Sequence, residues 1–172
     1  FGFSRWIQPA DKAAFEESIR QEGFTDFKIK PDGARDAYSS IQFLEPFDWR
    51  NQRAFGYDMY SNAVRREAME KARDTGQAVI SGKVTLVQET NEDVQAGFLM
   101  YLPLYEKDTP LTSTAERRDK LLGWVYSPFR MKDREFLGRG NPGSALKFLT
   151  ARKFTPTPCS TILSHTYTMM AI

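Results

Sequence analysis

"SNAVRREAMEKARDTGQAVISGKVTLVQE", residues Ser61 to Glu89, sets a capped helix in front of a strand, and that pairing decides the fold. Ser61 or Asn62 can accept from the first-turn amides, and Gly76 supplies the left-handed stop. Between them Val64, Ala68 and Ala72 form a narrow apolar stripe beside Met69. The spacing predicts a helix from Ser61 to Gly76, packed through that stripe against a sheet. Ala78 to Glu89 and Gly97 to Tyr105 are both rich in strand-forming residues, and the polar "TNEDVQA" between them suits a hairpin loop.

Working outward, Gln8 to Glu22 reads as another helix, with Pro9 near its start, Phe15 and Ile19 at i, i+4 spacing, and Gly23 ending it. Phe27 and Ile29 alternate with lysines up to Pro31, and Tyr38 to Leu44 is aromatic and β-branched; both segments read as strands. Leu121 to Phe129 supplies a further strand, which leaves Glu106 to Lys120 as a polar surface connection. Helices interleaved with hairpin-connected strands predict an α+β domain on a mostly antiparallel sheet flanked by helices, rather than a doubly wound parallel one.

Composition excludes several classes of function. The chain has 172 residues, enough for one domain or one domain and part of another, and a net charge of +2 with no clustered basic face. Nucleic-acid binding is therefore not expected. The single cysteine, Cys159, excludes an internal disulfide and a thiolate zinc cluster, and the single histidine, His165, leaves no multi-histidine metal site. GxSxG, HExxH and Walker A are all missing, and "GRGNPG" (Gly138 to Gly143), although it has the GxGxxG spacing, lacks the strand-then-helix setting of a phosphate loop. Glu89, Glu92 and Asp93 read as solvated loop charges, and Phe43, Phe47 and Trp49 as core or turn packing. No catalytic residue, metal or cofactor is expected, and the chain is not read as an enzyme. No apolar run reaches the roughly 18 residues of a membrane-spanning helix.

One carboxylate stands out. Asp58 lies among Phe55, Tyr57, Met59 and Tyr60 just ahead of the capped helix. Such a residue commonly satisfies helix N-terminal amides. A lone acceptor in an apolar cavity can equally fix the orientation of a small polar-edged ligand.

The ordered blocks "GYDMYS", "RREAMEKARDTGQAVISGKVTLVQE", "GFLMYLPLY" and "LLGWVYSPFRM" resemble the CHASE domain, the extracytoplasmic sensory module of membrane-bound histidine kinases, nucleotide cyclases and diguanylate cyclases. "EPFDWRNQRAFGYDM" and "ARDTG" are similar to its bacterial members, and the likeness runs from about Phe1 to Met131. The family fold is a long stalk helix followed by two PAS-like domains. The resemblance thus implies that residues 1–130 are the membrane-distal, ligand-holding domain and residues 131–172 a linker and the start of the proximal one. It implies a sensor on the periplasmic side of an inner-membrane protein, coupled to a cytoplasmic kinase or cyclase. The partner would be a small molecule, adenine-like or another small organic compound, and a homodimer is compatible with the family. The alternative is a ligand-free structural or dimerisation module.

Site residues follow from the same likeness. Asp58 matches the aspartate that hydrogen-bonds the adenine ring in plant cytokinin receptors, and Ile80 matches a residue lining that site. Leu86, Tyr101 and Leu102 fall on the strands that would form the pocket floor. Where plant receptors carry threonine and phenylalanine before a proline, this chain has Tyr101-Leu102-Pro103, a departure that argues against cytokinin itself.

The tail departs from the family after Met131. "GSALKFLTARKFTPTPCSTILSHTYTMMAI" stands where a helix and an "IFDG"-like strand would follow. Codons can be chosen for Lys147 to Ala151 so that another frame spells "IFDG", and for Thr155 to Leu163 so that the same frame spells "PDTLLYDS". A frameshift near Gly143 is the resulting expectation, with a truncated or atypical extension whose Phe148 and Ile162 would be poorly buried.

Overall fold

The computed structural model describes residues 1–86 and 96–130. The expectations for the hairpin tip, for residues 131–172 and for the frameshifted tail lie outside the described residues. The described elements, in chain order, are β1 (Gly2–Ile7), α1 (Lys12–Gln21), β2 (Tyr38–Leu44), α2 (Ala63–Thr75), β3 (Val79–Ile80), β4 (Val84–Thr85), β5 (Ala96–Tyr105), α3 (Thr114–Asp119) and β6 (Leu121–Arg130). Six strands form one sheet in the order β2-β1-β6-β5-β3, with β4 also pairing β5, and every strand pairing is antiparallel. The α+β reading holds.

α2 is built as its ends dictate. The Asn62 side chain accepts from the Arg65 amide at 3.1 Å, and Gly76 closes the helix at φ 71°, a backbone state that glycine adopts without a Cβ clash. The buried face keeps Ala68 and Ala72 of the expected stripe, with Met69 beside them, but replaces Val64 by Arg65. Arg65, Ala68, Met69 and Ala72 are buried, whereas Val64 is 39% exposed. A stripe at i, i+4, i+8 drifts around a helix of 3.6 residues per turn, while i, i+3, i+4, i+7 stays on one side. The second pattern wins, and it turns Met69 and an arginine toward the sheet.

That side of the sheet carries the larger core. Trp124 is fully buried, and its indole Nε1 donates to the Met69 carbonyl at 3.0 Å. Trp6 meets it edge-on at 5.7 Å between ring centroids, and Tyr60 stacks against it at 6.4 Å. On the opposite side α1, among the described residues, covers one end of the sheet, where Ile7, Ile19, Phe27, Ile29 and Tyr38 form a second cluster. Phe27 and Ile29 are buried as their alternation requires, yet the segment makes a single bridge, Lys30 to Tyr57, in place of a strand. The stretch from Ala78 likewise splits into the two short strands β3 and β4.

The polar connection between β5 and β6 contains α3, which opens on a capping box of Ser113 and Glu116. α3 clamps the end of α2. Arg117 donates to the Asp74 carbonyl at 2.8 Å, and Arg118 donates twice to the Asp74 carboxylate, at 2.9 and 2.6 Å. The Arg118 hydrogen bonds, joined by one from Arg73, hold the Asp74 carboxyl well below the usual carboxylate range. A depressed folded-state pKa contributes stability above the unfolded value near 4 that disappears as pH falls below it. Asp74→Asn should therefore cost about 1–2 kcal/mol at pH 7, part of the pair being solvent-screened, and the gap to wild type in urea melts should narrow steadily as pH falls below about 4.

Candidate functional site

Asp58 is fully buried at the open edge of β2. The segment before it runs beside that strand, with the Gly56 amide donating to the Ile41 carbonyl and the Ile41 amide donating to the Tyr57 carbonyl, both at 3.0 Å. One carboxylate oxygen, Oδ1, accepts from the Ser39 amide at 2.8 Å and the Tyr60 amide at 3.0 Å. Asp58 thus caps the single 3-10 turn Met59–Ser61 and pins it to the sheet, while Asn62 caps α2 itself. The other oxygen, Oδ2, has no hydrogen-bond partner and lies 3.5 Å from the Arg35 guanidinium. Burial pushes the carboxyl above its ordinary pKa, against the pull of its amide donors and Arg35.

The other four residues picked from the sequence divide between the two sheet faces. In β5, successive side chains alternate, so Tyr101 faces α2 and Leu102 faces away. Tyr101 is fully buried and Leu102 is 37% exposed. Ile80 pairs with Met100, which places it on Leu102's face, where it is 50% exposed. Leu86 is buried with Tyr101 in the core under α2. The structure therefore brings Leu86 and Tyr101 to one side and leaves Ile80 and Leu102 on the other, with Asp58 at the far edge.

A polar cluster on the α2 side joins the first pair. Tyr101 and Tyr126 are direct cross-strand partners, and both hydroxyls are buried without a hydrogen-bond partner. The Arg65 guanidinium lies over the Tyr57 ring at 5.0 Å, and its Nη2 donates to the Thr85 carbonyl at 2.8 Å. Its Nε is buried and unpartnered. Burial raises both tyrosine pKa values, with the Arg65 charge pulling the other way, so the hydroxyls stay protonated at neutral pH. Tyr126 has room only because β1 begins with glycine. A Cβ at Gly2 would sit 2.6 Å from the Tyr126 hydroxyl oxygen.

Beside this cluster is a cavity of about 340 Å³. Leu44, Pro46, Leu86 and Pro128 give it apolar walls, Tyr126 reaches it from the sheet, and Asp48 and Arg50 stand among its polar lining. Of the three residues with unpartnered groups, Tyr126 lines this cavity, whereas Arg65 and Tyr101 lie in the core behind it. Arg65 and Tyr126 went unrecognised in the sequence. A signal for Arg65 existed: it begins the i, i+3, i+4, i+7 pattern that Met69 completes. Among the described residues there is no group of three or more His, Cys, Asp or Glu side chains placed to hold a metal, and no helix long and apolar enough to cross a membrane.

A family model described as the CHASE domain matches residues 1–140. The chain is also 28% identical over 109 residues to hybrid signal transduction histidine kinase A of Dictyostelium discoideum. That match takes in 61% of this chain and 5% of the relative, so the chain spans a small part of that protein's length. The family match extends over the whole described sheet, including α2, the tyrosine pair and the cavity beside them, and on that basis the chain belongs to the CHASE domain family.

Proposed function

We infer that this domain is a ligand-binding sensor of a transmembrane signalling receptor, PAS-like in architecture, placed outside the cytoplasm and coupled to a kinase or cyclase. The observation that supports it is the cavity of about 340 Å³ with apolar walls from Leu44, Pro46, Leu86 and Pro128 and with Asp48 and Arg50 in its polar lining. A ligand held there more tightly in one of two conformations shifts the receptor toward that conformation. The domain acts by binding and not by catalysis. A diverse small-molecule library should contain compounds that raise its melting temperature in proportion to the logarithm of their concentration. Native mass spectrometry of protein purified without added ligand should show a bound small molecule when such a compound is carried through from the host.

The sheet's outer face favours a second reading as a dimerisation module. Ile80 and Leu102 are exposed there, and the Phe98 and Phe129 rings stack at 5.2 Å on the same face. Sedimentation equilibrium separates the two readings. Under the second, Leu102→Lys reduces dimer formation and no compound shifts the melt.

A further inference from the structure

The cavity of about 340 Å³ divides its lining by chemistry. Leu44, Tyr126 and Pro128 from the strands, with Leu86 beside them, make the apolar part, whereas Glu45, Asp48, Arg50 and Asn51 come from the turn that follows β2. That turn is braced from within. Asp48 Oδ1 accepts from the Arg50 and Asn51 amides at 3.0 and 2.8 Å, and the Asn51 side chain donates to the Pro46 carbonyl at 2.7 Å. The Arg50 guanidinium lies over the Trp49 ring at 5.2 Å. Among the described residues Arg50 has no ion pair and its side chain makes no hydrogen bond, and Asp48 Oδ2 accepts none. Charges of both signs therefore line the cavity: Glu45 and Asp48 against Arg50 and the Phe1 amino group, which donates to the Glu45 carbonyl at 3.0 Å. An anion meets two carboxylates there, a cation meets two cationic groups, and a neutral apolar molecule dries all of them without pairing any. A small molecule that carries both charges side by side pairs them.

We propose that the ligand is an α-amino acid with an apolar side chain: its carboxylate pairs with Arg50, its ammonium group with Asp48 under the added charge of Glu45, and its side chain lies against Leu44, Leu86 and Pro128. This assignment rests on the sensor reading and names the chemistry of the same site. At about 340 Å³ the cavity is near the small end of ligand pockets, roughly 300–1,000 Å³, which suits a molecule of that size. The guanidinium offers a carboxylate paired donors, and the Asp48 carboxylate offers an ammonium group a fixed acceptor. Because Asp48 is held by backbone amides of its own turn before any ligand arrives, little ordering is lost on binding.

Calorimetric titration of the full chain with leucine, methionine and phenylalanine tests the proposal, each beside its carboxamide, which lacks the carboxylate, and its deamino acid, which lacks the ammonium group. At least one amino acid should bind, with both analogues weaker by about tenfold. Arg50→Gln should weaken that amino acid by about fivefold to tenfold and leave its carboxamide unchanged. Asp48→Asn, which keeps an oxygen for the amides of the turn, should weaken the amino acid to a similar degree and leave the deamino acid unchanged. Both residues are exposed, so each unliganded variant should melt within a few degrees of wild type; a much earlier melt assigns the residue to the fold and counts against the proposal. Wild-type affinity for the amino acid in either variant overturns it, as does an Arg50→Gln loss shared equally by amino acid and carboxamide, or an analogue that binds as tightly as the amino acid. If no amino acid binds but other compounds of the library do, the amino-acid assignment fails and the sensor reading stands. If nothing of either kind binds, both fail.

Discussion

Trp124→Ala should lower the unfolding free energy by about 3–5 kcal/mol, the largest single-residue effect expected in the domain. The indole sits at the middle of the sheet, paired in register with Ser4 on one side and Pro103 on the other, and is fully buried. Its loss empties the space between Trp6, Tyr60 and α2 and leaves the Met69 carbonyl without the donor it now accepts from. The wall around it is made of rings held by their own contacts, so collapse into the void is limited. Trp124→Phe, which keeps a ring and loses the N–H, should cost about half as much. Urea denaturation followed by tryptophan fluorescence and circular dichroism measures both. A cost near 1 kcal/mol for the alanine variant would mean that α2 is not seated on this residue.

Asp58→Leu should destabilise the unliganded domain by about 2–5 kcal/mol, because the Ser39 and Tyr60 amides lose their acceptor inside the protein and Arg35 loses its counter-charge. Asp58→Asn keeps an oxygen for those two amides and should stay within about 1 kcal/mol of wild type at pH 7. The variants also differ in their response to pH. A carboxyl whose folded pKa lies above its unfolded value near 3.9 binds more protons in the folded state. The wild type therefore loses stability as pH rises from that value through the folded pKa, and Asp58→Asn should flatten this slope. Melts from pH 3 to 7 read it directly. Unchanged ligand-free stability in Asp58→Leu would return Asp58 to the role that the cytokinin-receptor likeness implies, an acceptor kept for a ligand.

Sequence patterning reached the elements whose signals are local. Tyr38–Leu44 emerged with the expected ends, β5 and β6 within a residue at each end, and α2 between its asparagine cap and Gly76. β1 was not legible, although it runs through the middle of the sheet. Its α2-facing positions are Gly2, Ser4 and Trp6, and the first two are small because Tyr126 and Trp124 fill the space above them. A strand that contributes room instead of side chains shows no apolar alternation. The site was harder still. Ile80 and Leu102 look like pocket residues as readily as Leu86 and Tyr101 do, and only the register of β5 decides which face each takes. Asp58 was recognisable as a carboxylate with a purpose, but that its Oδ1 accepts from the Ser39 and Tyr60 amides depends on a strand 19 residues away and had no local signal.

The place of β1 between β2 and β6 also governs the order of assembly. Its pairing with β2 closes a modest loop, but its pairing with β6 joins opposite ends of the described chain, and loop-closure entropy must be overcome before those hydrogen bonds form. Such long-range antiparallel contacts place the domain among slow folders, on a scale of milliseconds to seconds. During synthesis the β1–β2 ladder waits with an open edge until Leu121–Arg130 emerges, so a chain halted anywhere before that strand exposes a template for pairing with its neighbours.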